Sequence, residues 1–179
     1  MQDGADKSDH QYPHHPRVPE NLQNVTRMKI KIQGVFIHGL ALYLYLIPPY
    51  LGSGAGMAIT CLLHALHMAK LKLGKLPSKL LLQSDNGSEN KNKAMLYVLH
   101  LLVYLGVFQE VHWNLLIPGH THEDIDAWFS IISRWLCKVY IMTLSELCKR
   151  CICPLHLLAL MILMSGCLLP SPRPSQESI

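Results

Sequence analysis

The stretch LLLQSDNGSENKNKAMLYVLHLLVYLGVF, Leu80 to Phe108, decides the fold class. Its opening, Leu80-Leu81-Leu82-Gln83, follows Pro77 and reads as a short buried strand. Ser84 to Asn90 are polar and rich in turn formers, so the strand hands the chain to a loop and Asp85 stands at the strand's carboxyl end. Asn92 to Phe108 is apolar almost all round, which predicts a helix buried within the fold and stopped at Gly106. A strand, a loop and a helix in this order make the repeating unit of an α/β fold.

Upstream, Met28 to Ile47 (MKIKIQGVFIHGLALYLYLI) keeps close to a period of two and predicts two neighbouring strands, an antiparallel hairpin. Gly34 is expected to mark a bulge and Gly39 a turn, and Pro48-Pro49 ends the second strand because proline cannot donate to a sheet ladder. After Gly52 to Gly56, the positions Ile59, Leu62, Leu63, Leu66 and Leu73 share one face of an amphipathic helix that Pro77 closes. Downstream, Val111 to Ile117 predicts a strand and Pro118-Gly119 a turn. Ile125, Trp128, Phe129, Ile132 and Leu136 then trace one face of a closing helix. The order strand, strand, helix, strand, helix, strand, helix implies a mixed sheet covered by helices.

Half of the 179 residues are apolar, enough for one sizeable core, so residues 1–147 are read as one domain and 148–179 as an appended tail. Ile152 to Leu169 is apolar and barely reaches the length of a membrane span. A packed or aberrant segment is preferred, although the 152–169 run leaves a membrane open. The following PSPRPSQESI has the composition of disorder. A net charge of +4 is compatible with a polyanionic partner but does not require one. The six cysteines lack the regular spacing of a secreted disulfide scaffold, and the polar, Pro-rich start is no signal peptide. An intracellular protein with reduced thiols follows, its compartment open and the Asn-x-Ser/Thr triplets at Asn24 and Asn86 coincidental.

Two polar clusters fall where strands end, the place where open sheets gather ligand chemistry. In QSDNGSENKN, Gln83 to Asn92, carboxylates and amides suit a hard cation such as magnesium. The plainer alternative is an ordinary turn with Asn86 to Glu89 as a helix cap. In PGHTHEDID, Pro118 to Asp126, two histidines and three acids crowd one strand-to-helix junction. Thr121 with Asp124 fits a capping box, whereas Asp126 lies inside the helix, where capping explains a carboxylate less readily.

His120-x-His122-x-Asp124 resembles the first ligand cluster of metallo-beta-lactamase-like zinc hydrolases. Only His156 offers a further ligand downstream, and that reading leaves QSDNGSENKN without a role. Cys148-x-x-Cys151-x-Cys153 lacks a partner pair and reads as inert thiols. His64, His67 and His100 read as core or surface histidines, and the lysines from Lys70 to Lys79 as a solvated helix face in preference to a phosphate-contacting strip.

Together, DNGSENKN and PGHTHEDIDAWFS resemble the motif pair of a eukaryotic domain found in transposon-related proteins, similar in plan to integrase and transposase nucleases of the ribonuclease H-like type. The resemblance runs from Asp3-Gly4-Ala5-Asp6-Lys7-Ser8, through Val35 to Gly39 and Leu76-Pro77, to about Leu136. It implies an N-terminally truncated ribonuclease H-like fold, with the strand leading into Asp3 missing. It also implies a catalytic set of Asp3, Asp85 and Asp126, with Asp6 an alternative to the first and Asp124 or Glu123 alternatives to the last. His120 and His122 are further candidates to bind metal, phosphate or the nucleophile, and Asn86 and Glu89 to orient ligands. The implied chemistry is magnesium- or manganese-dependent phosphodiester cleavage or strand transfer on nucleic acid, DNA in preference to RNA, degraded here by truncation. A zinc hydrolase and a non-catalytic nucleic-acid- or protein-binding module are the alternatives. No separate DNA-reading module is recognisable.

Overall fold

The computed structural model describes residues 1–4, 11–17, 20, 23–24, 26–116, 124–143, 145–147 and 159–162. In chain order the elements are β1 (Gln2–Gly4), β2 (Gln11–Tyr12), β3 (Met28–Lys29), β4 (Lys31–Ile37), β5 (Ala41–Ile47), α1 (Ala55–Leu73), β6 (Lys79–Ser84), α2 (Lys93–Tyr104), β7 (Glu110–Leu115), α3 (Asp124–Leu136) and β8 (Ala159–Ile162). The main sheet runs β7-β6-β1-β4-β5-β8, and β2 pairs with β3 in a separate two-stranded ribbon. β1, β6 and β7 are parallel, β4 is antiparallel to both β1 and β5, and helices cover both faces. This is the mixed, ribonuclease H-like α/β sheet that the sequence predicts.

The hairpin β4–β5 forms as expected, turning at Gly39 with φ 73° and ending before Pro48. Gly34 is not a bulge, because the register runs unbroken through Gly34↔Leu44. Its reason is packing: a Cβ at Gly34 would stand 2.8 Å from Ile125 Cδ1 and 3.1 Å from Phe129 Cζ, so the bare backbone lets α3 lie close on β4. The strand expected to be missing before Asp3 is also present in part. Three residues of β1 occupy the centre of the sheet, and the Met1 ammonium donates to Phe36 O at 2.8 Å. Met1, Ile37 of β4, Leu62 and Leu66 of α1 and Leu81 of β6 line an apolar cleft of about 450 Å³.

Alternation along the strands divides the core. Ile32, Leu42, Leu44 and Leu46 pack under α3 with Ile125, Phe129, Ile132 and Leu136. Val35, Tyr43, Tyr45 and Ile47 pack under α1 and α2. On α1 the buried face is Ala58, Cys61, Leu62, Ala65, Leu66 and Ala69, while Leu63 and Leu73 are exposed. Leu62 and Leu66 of the expected face are buried with Ile59 beside them, and the small residues Ala58, Cys61, Ala65 and Ala69 complete it where the sheet presents Tyr43 and Tyr45. Helix α2 corrects the sequence further: Met95 and Leu99 alone are buried, and Leu96, Tyr97, Leu101 and Tyr104 face outward.

In the tail, residues 159–162 are not helical; they form β8, paired in parallel with β5. No helix among the described residues is long and apolar enough to cross a membrane.

Candidate functional site

β1 and β6 run side by side in parallel with Gln2 opposite Ser84. The next residues, Asp3 within β1 and Asp85 just past the end of β6, therefore lie side by side on one face of the sheet. Across β1's other side, Asp3 pairs with Gly34, the residue that α3 covers. Directly opposed residues share a face, so Asp3 faces α3, and Asp126 follows Ile125, which lies against Gly34. The sheet register and the seating of one helix thus bring together three acids from residues 3, 85 and 126.

Electrostatics report the same convergence. Burial raises the Asp3 carboxyl to about 6 from an ordinary 3.8, and the negative charges of Asp85 and Asp126 push the same way. The Gly4 amide, which donates to Asp3 Oδ1 at 2.7 Å, and the Lys31 ammonium oppose the rise without cancelling it. Among the described residues no three His, Cys, Asp or Glu side chains are drawn together tightly enough to hold a metal ion. The acids share an electrostatic neighbourhood without closing on a single point.

The loop after β6 is built around Asp85. Asn90 Nδ2 donates to Asp85 Oδ1 at 2.5 Å, and Gly87 leaves room for the other oxygen, since a Cβ there would lie 2.7 Å from Asp85 Oδ2. Asn90 N and Lys91 N both donate to Gly87 O, which closes the loop. The cap of α2 is Asn92, whose Oδ1 accepts from Met95 N at 2.9 Å, and not the Asn86 to Glu89 segment. Glu89 instead makes an ion pair with Lys31.

Sequence reasoning missed a ring of buried polar side chains. The buried polar residues among those described are Gln2, Lys31, Gln33, Ser84 and Asn90, and all five sit on β1, on its neighbours β4 and β6, or in the loop after β6. Burying such groups is costly unless they are bonded. Gln2 Nε2 donates to Ala58 O, Gln33 Nε2 to Asp3 O, and Trp113 Nε1 to Ser84 Oγ. Asn90 Oδ1 is buried with no hydrogen-bond donor reaching it from the described residues. In KIKIQGV the strand period sets Lys31 and Gln33 opposite Ile30 and Ile32, which reads as solvent-facing; their burial follows from the covering of both faces of β4 and carried no signal in the sequence.

Of the other candidates, Asp124 is the first residue of α3 and only its backbone is described; Asp6, His120, Thr121, His122, Glu123, Cys148, Cys151, Cys153 and His156 lie outside the described residues. His64 is half-buried, its Nδ1 3.0 Å from Tyr45 Oη and its pKa lowered by burial and by His67. Lys70, Lys72 and Lys75 are solvent-exposed, with Lys72 Nζ 5.7 Å from the Tyr43 ring centre.

A family profile described as domain of unknown function (DUF7869) matches residues 20–154. The chain belongs to the DUF7869 family. The DUF7869 match spans Asp85 and Asp126, starts after Asp3, and runs past residue 147, the sequence-based end of the domain. No curated protein and no solved structure matches the chain.

Proposed function

We propose that this DUF7869 chain derives from a transposon-encoded, metal-dependent phosphodiester-cleaving enzyme of the ribonuclease H-like type. One observation carries the reading: the charges of Asp85 and Asp126, from two other elements, both bear on Asp3 at the carboxyl edge of the parallel strands. Repulsion among carboxylates is relieved by a divalent cation, and an all-oxygen donor set suits magnesium or manganese better than zinc. Asp3, Asp85 and Asp126 would hold the ion. When bound, it supplies the Lewis acidity that activates a water or 3'-hydroxyl and stabilises the leaving oxygen of a phosphodiester.

The chain's own residues prepare that chemistry. Asn90 fixes one Asp85 oxygen and Gly87 clears space around the other, so the carboxylate's orientation is set before any ligand arrives. Asp3, titrating near 6, is largely ionised at neutral pH and would be stabilised in that form by a neighbouring cation. The net charge of +4 supports a nucleic-acid substrate, with DNA the working choice and an intracellular setting to match.

A second reading is supported by the open spacing of the acids: a relic that binds cation weakly and no longer cleaves, or a non-catalytic nucleic-acid-binding module. The test is nicking of supercoiled DNA in manganese, wild type beside Asp85→Asn. Cleavage that disappears in the variant supports the enzyme. Equal traces of cleavage in both, with manganese still bound by the wild type, support the relic.

A further inference from the structure

Lys31 opens β4 and is 7% exposed. A lysine at this depth is costly unless its ammonium is paired. A Cβ built on Gly4 would lie 3.2 Å from Lys31 Cε and 3.8 Å from Nζ, so the side chain passes beside the residue that follows Asp3. The ammonium ends at the carboxylate of Glu89, whose neighbour Asn90 holds Asp85. Lysine, glutamate, asparagine and aspartate thus form one chain of contacts from the central strands to the tip of the site.

We infer that Lys31 is a positioning residue: its buried ion pair with Glu89 is a latch that ties the 85–92 loop to β4, so that Asn90 presents Asp85 beside Asp3. The acid loop has few other anchors to the central strands. Its hydrogen bonds are largely internal, from Asn90 and Lys91 to Gly87 and from Asn92 to Ser88 and Glu89. An internal network gives the loop shape without placing it, and the latch supplies placement. Arginine at this position would keep the charge and the pairing; methionine would fill the same tunnel and leave Glu89 unpaired. The latch itself rests on geometry alone, whereas its consequence for cation affinity rests on the divalent-cation reading above.

The test uses the full chain in four forms besides wild type: Lys31→Met, Lys31→Arg, Glu89→Gln and the Lys31→Met/Glu89→Gln pair. Two readouts are needed: manganese affinity by calorimetry, and amide hydrogen exchange of residues 86–92. Lys31→Met and Glu89→Gln should each deprotect the loop and weaken manganese binding by about ten- to a hundredfold, the usual range for a residue acting through a ligand. The double variant should be no weaker than Lys31→Met, and Lys31→Arg should stay near wild type. If Lys31→Met fails to fold, Glu89→Gln carries the same prediction from the more exposed partner. Unchanged loop exchange and affinity within about twofold of wild type in folded Lys31→Met and Glu89→Gln would overturn the latch. Loop deprotection in a protein whose wild type binds no manganese would uphold the latch and count against the cation reading.

Discussion

Replacing Asp3 by asparagine should stabilise the protein at alkaline pH and do nothing in acid. Burial first, and the Asp85 and Asp126 charges after it, raise the folded carboxyl to about 6, against an ordinary value of 3.8. Between those values the native state holds a proton that the unfolded chain has released. Asp3 therefore favours folding below pH of about 4, and that contribution is lost as pH rises through about 6. At about 1.36 kcal/mol per pH unit the span corresponds to at most about 3 kcal/mol, and water reaching the half-buried carboxyl reduces it to about 1–3 kcal/mol. Asparagine keeps an oxygen for the Gly4 amide and removes only the charge. Urea unfolding of wild type and Asp3→Asn in chelator, from about pH 4 to 8, should show a difference near zero at the acid end that grows to about 1–3 kcal/mol in favour of the variant. A difference independent of pH, or a variant less stable than wild type at pH 8, would refute the raised Asp3 carboxyl.

Gly34→Ala should cost about 1–3 kcal/mol in urea unfolding, because its methyl would press on Ile125 and Phe129 in a filled core. In an Ile125→Val background, which lacks the 2.8 Å contact atom, the same substitution should cost clearly less. Gly87→Ala should change stability by less than about 1 kcal/mol yet weaken manganese binding, since the collision is with Asp85 Oδ2 and no left-handed backbone is involved. Calorimetry separates the two effects, and in an Asp85→Ala background the Gly87→Ala stability change should vanish.

Strands β4 to β7 and the three helices were legible because their apolar periods are long and their ends are marked by glycine, proline and asparagine. What escaped is what neighbours decide. Gly34 carries the same letter whether it makes a bulge or admits a helix, and only the seating of Ile125 distinguishes them. The apolar wrap of α2 suggested burial on all sides, but a helix at a sheet's flank buries one stripe, leaving Tyr97 70% and Tyr104 79% exposed. Strand β1, three residues long, is too short for any period to register; the register to Val35 and Ser84 defines it. The places of Asp85, just past a strand, and of Asp126, within α3, were readable from the DNG turn and from the helix period. Lys31 and Gln33 went unremarked because a polar residue at every second strand position is the ordinary pattern of a solvated face, and only the covering of both faces of β4 buries them.

The central proposal is that Asp3, Asp85 and Asp126, neighbours that do not close on a single point, are drawn together by one divalent cation. Its most direct measurement is calorimetric titration of manganese into the full chain and into Asp3→Asn, Asp85→Asn and Asp126→Asn. A single saturable event in wild type, weakened by each substitution and abolished by Asp85→Asn, is the predicted result. Binding that survives all three substitutions unchanged, or no binding in the folded wild type, would contradict it.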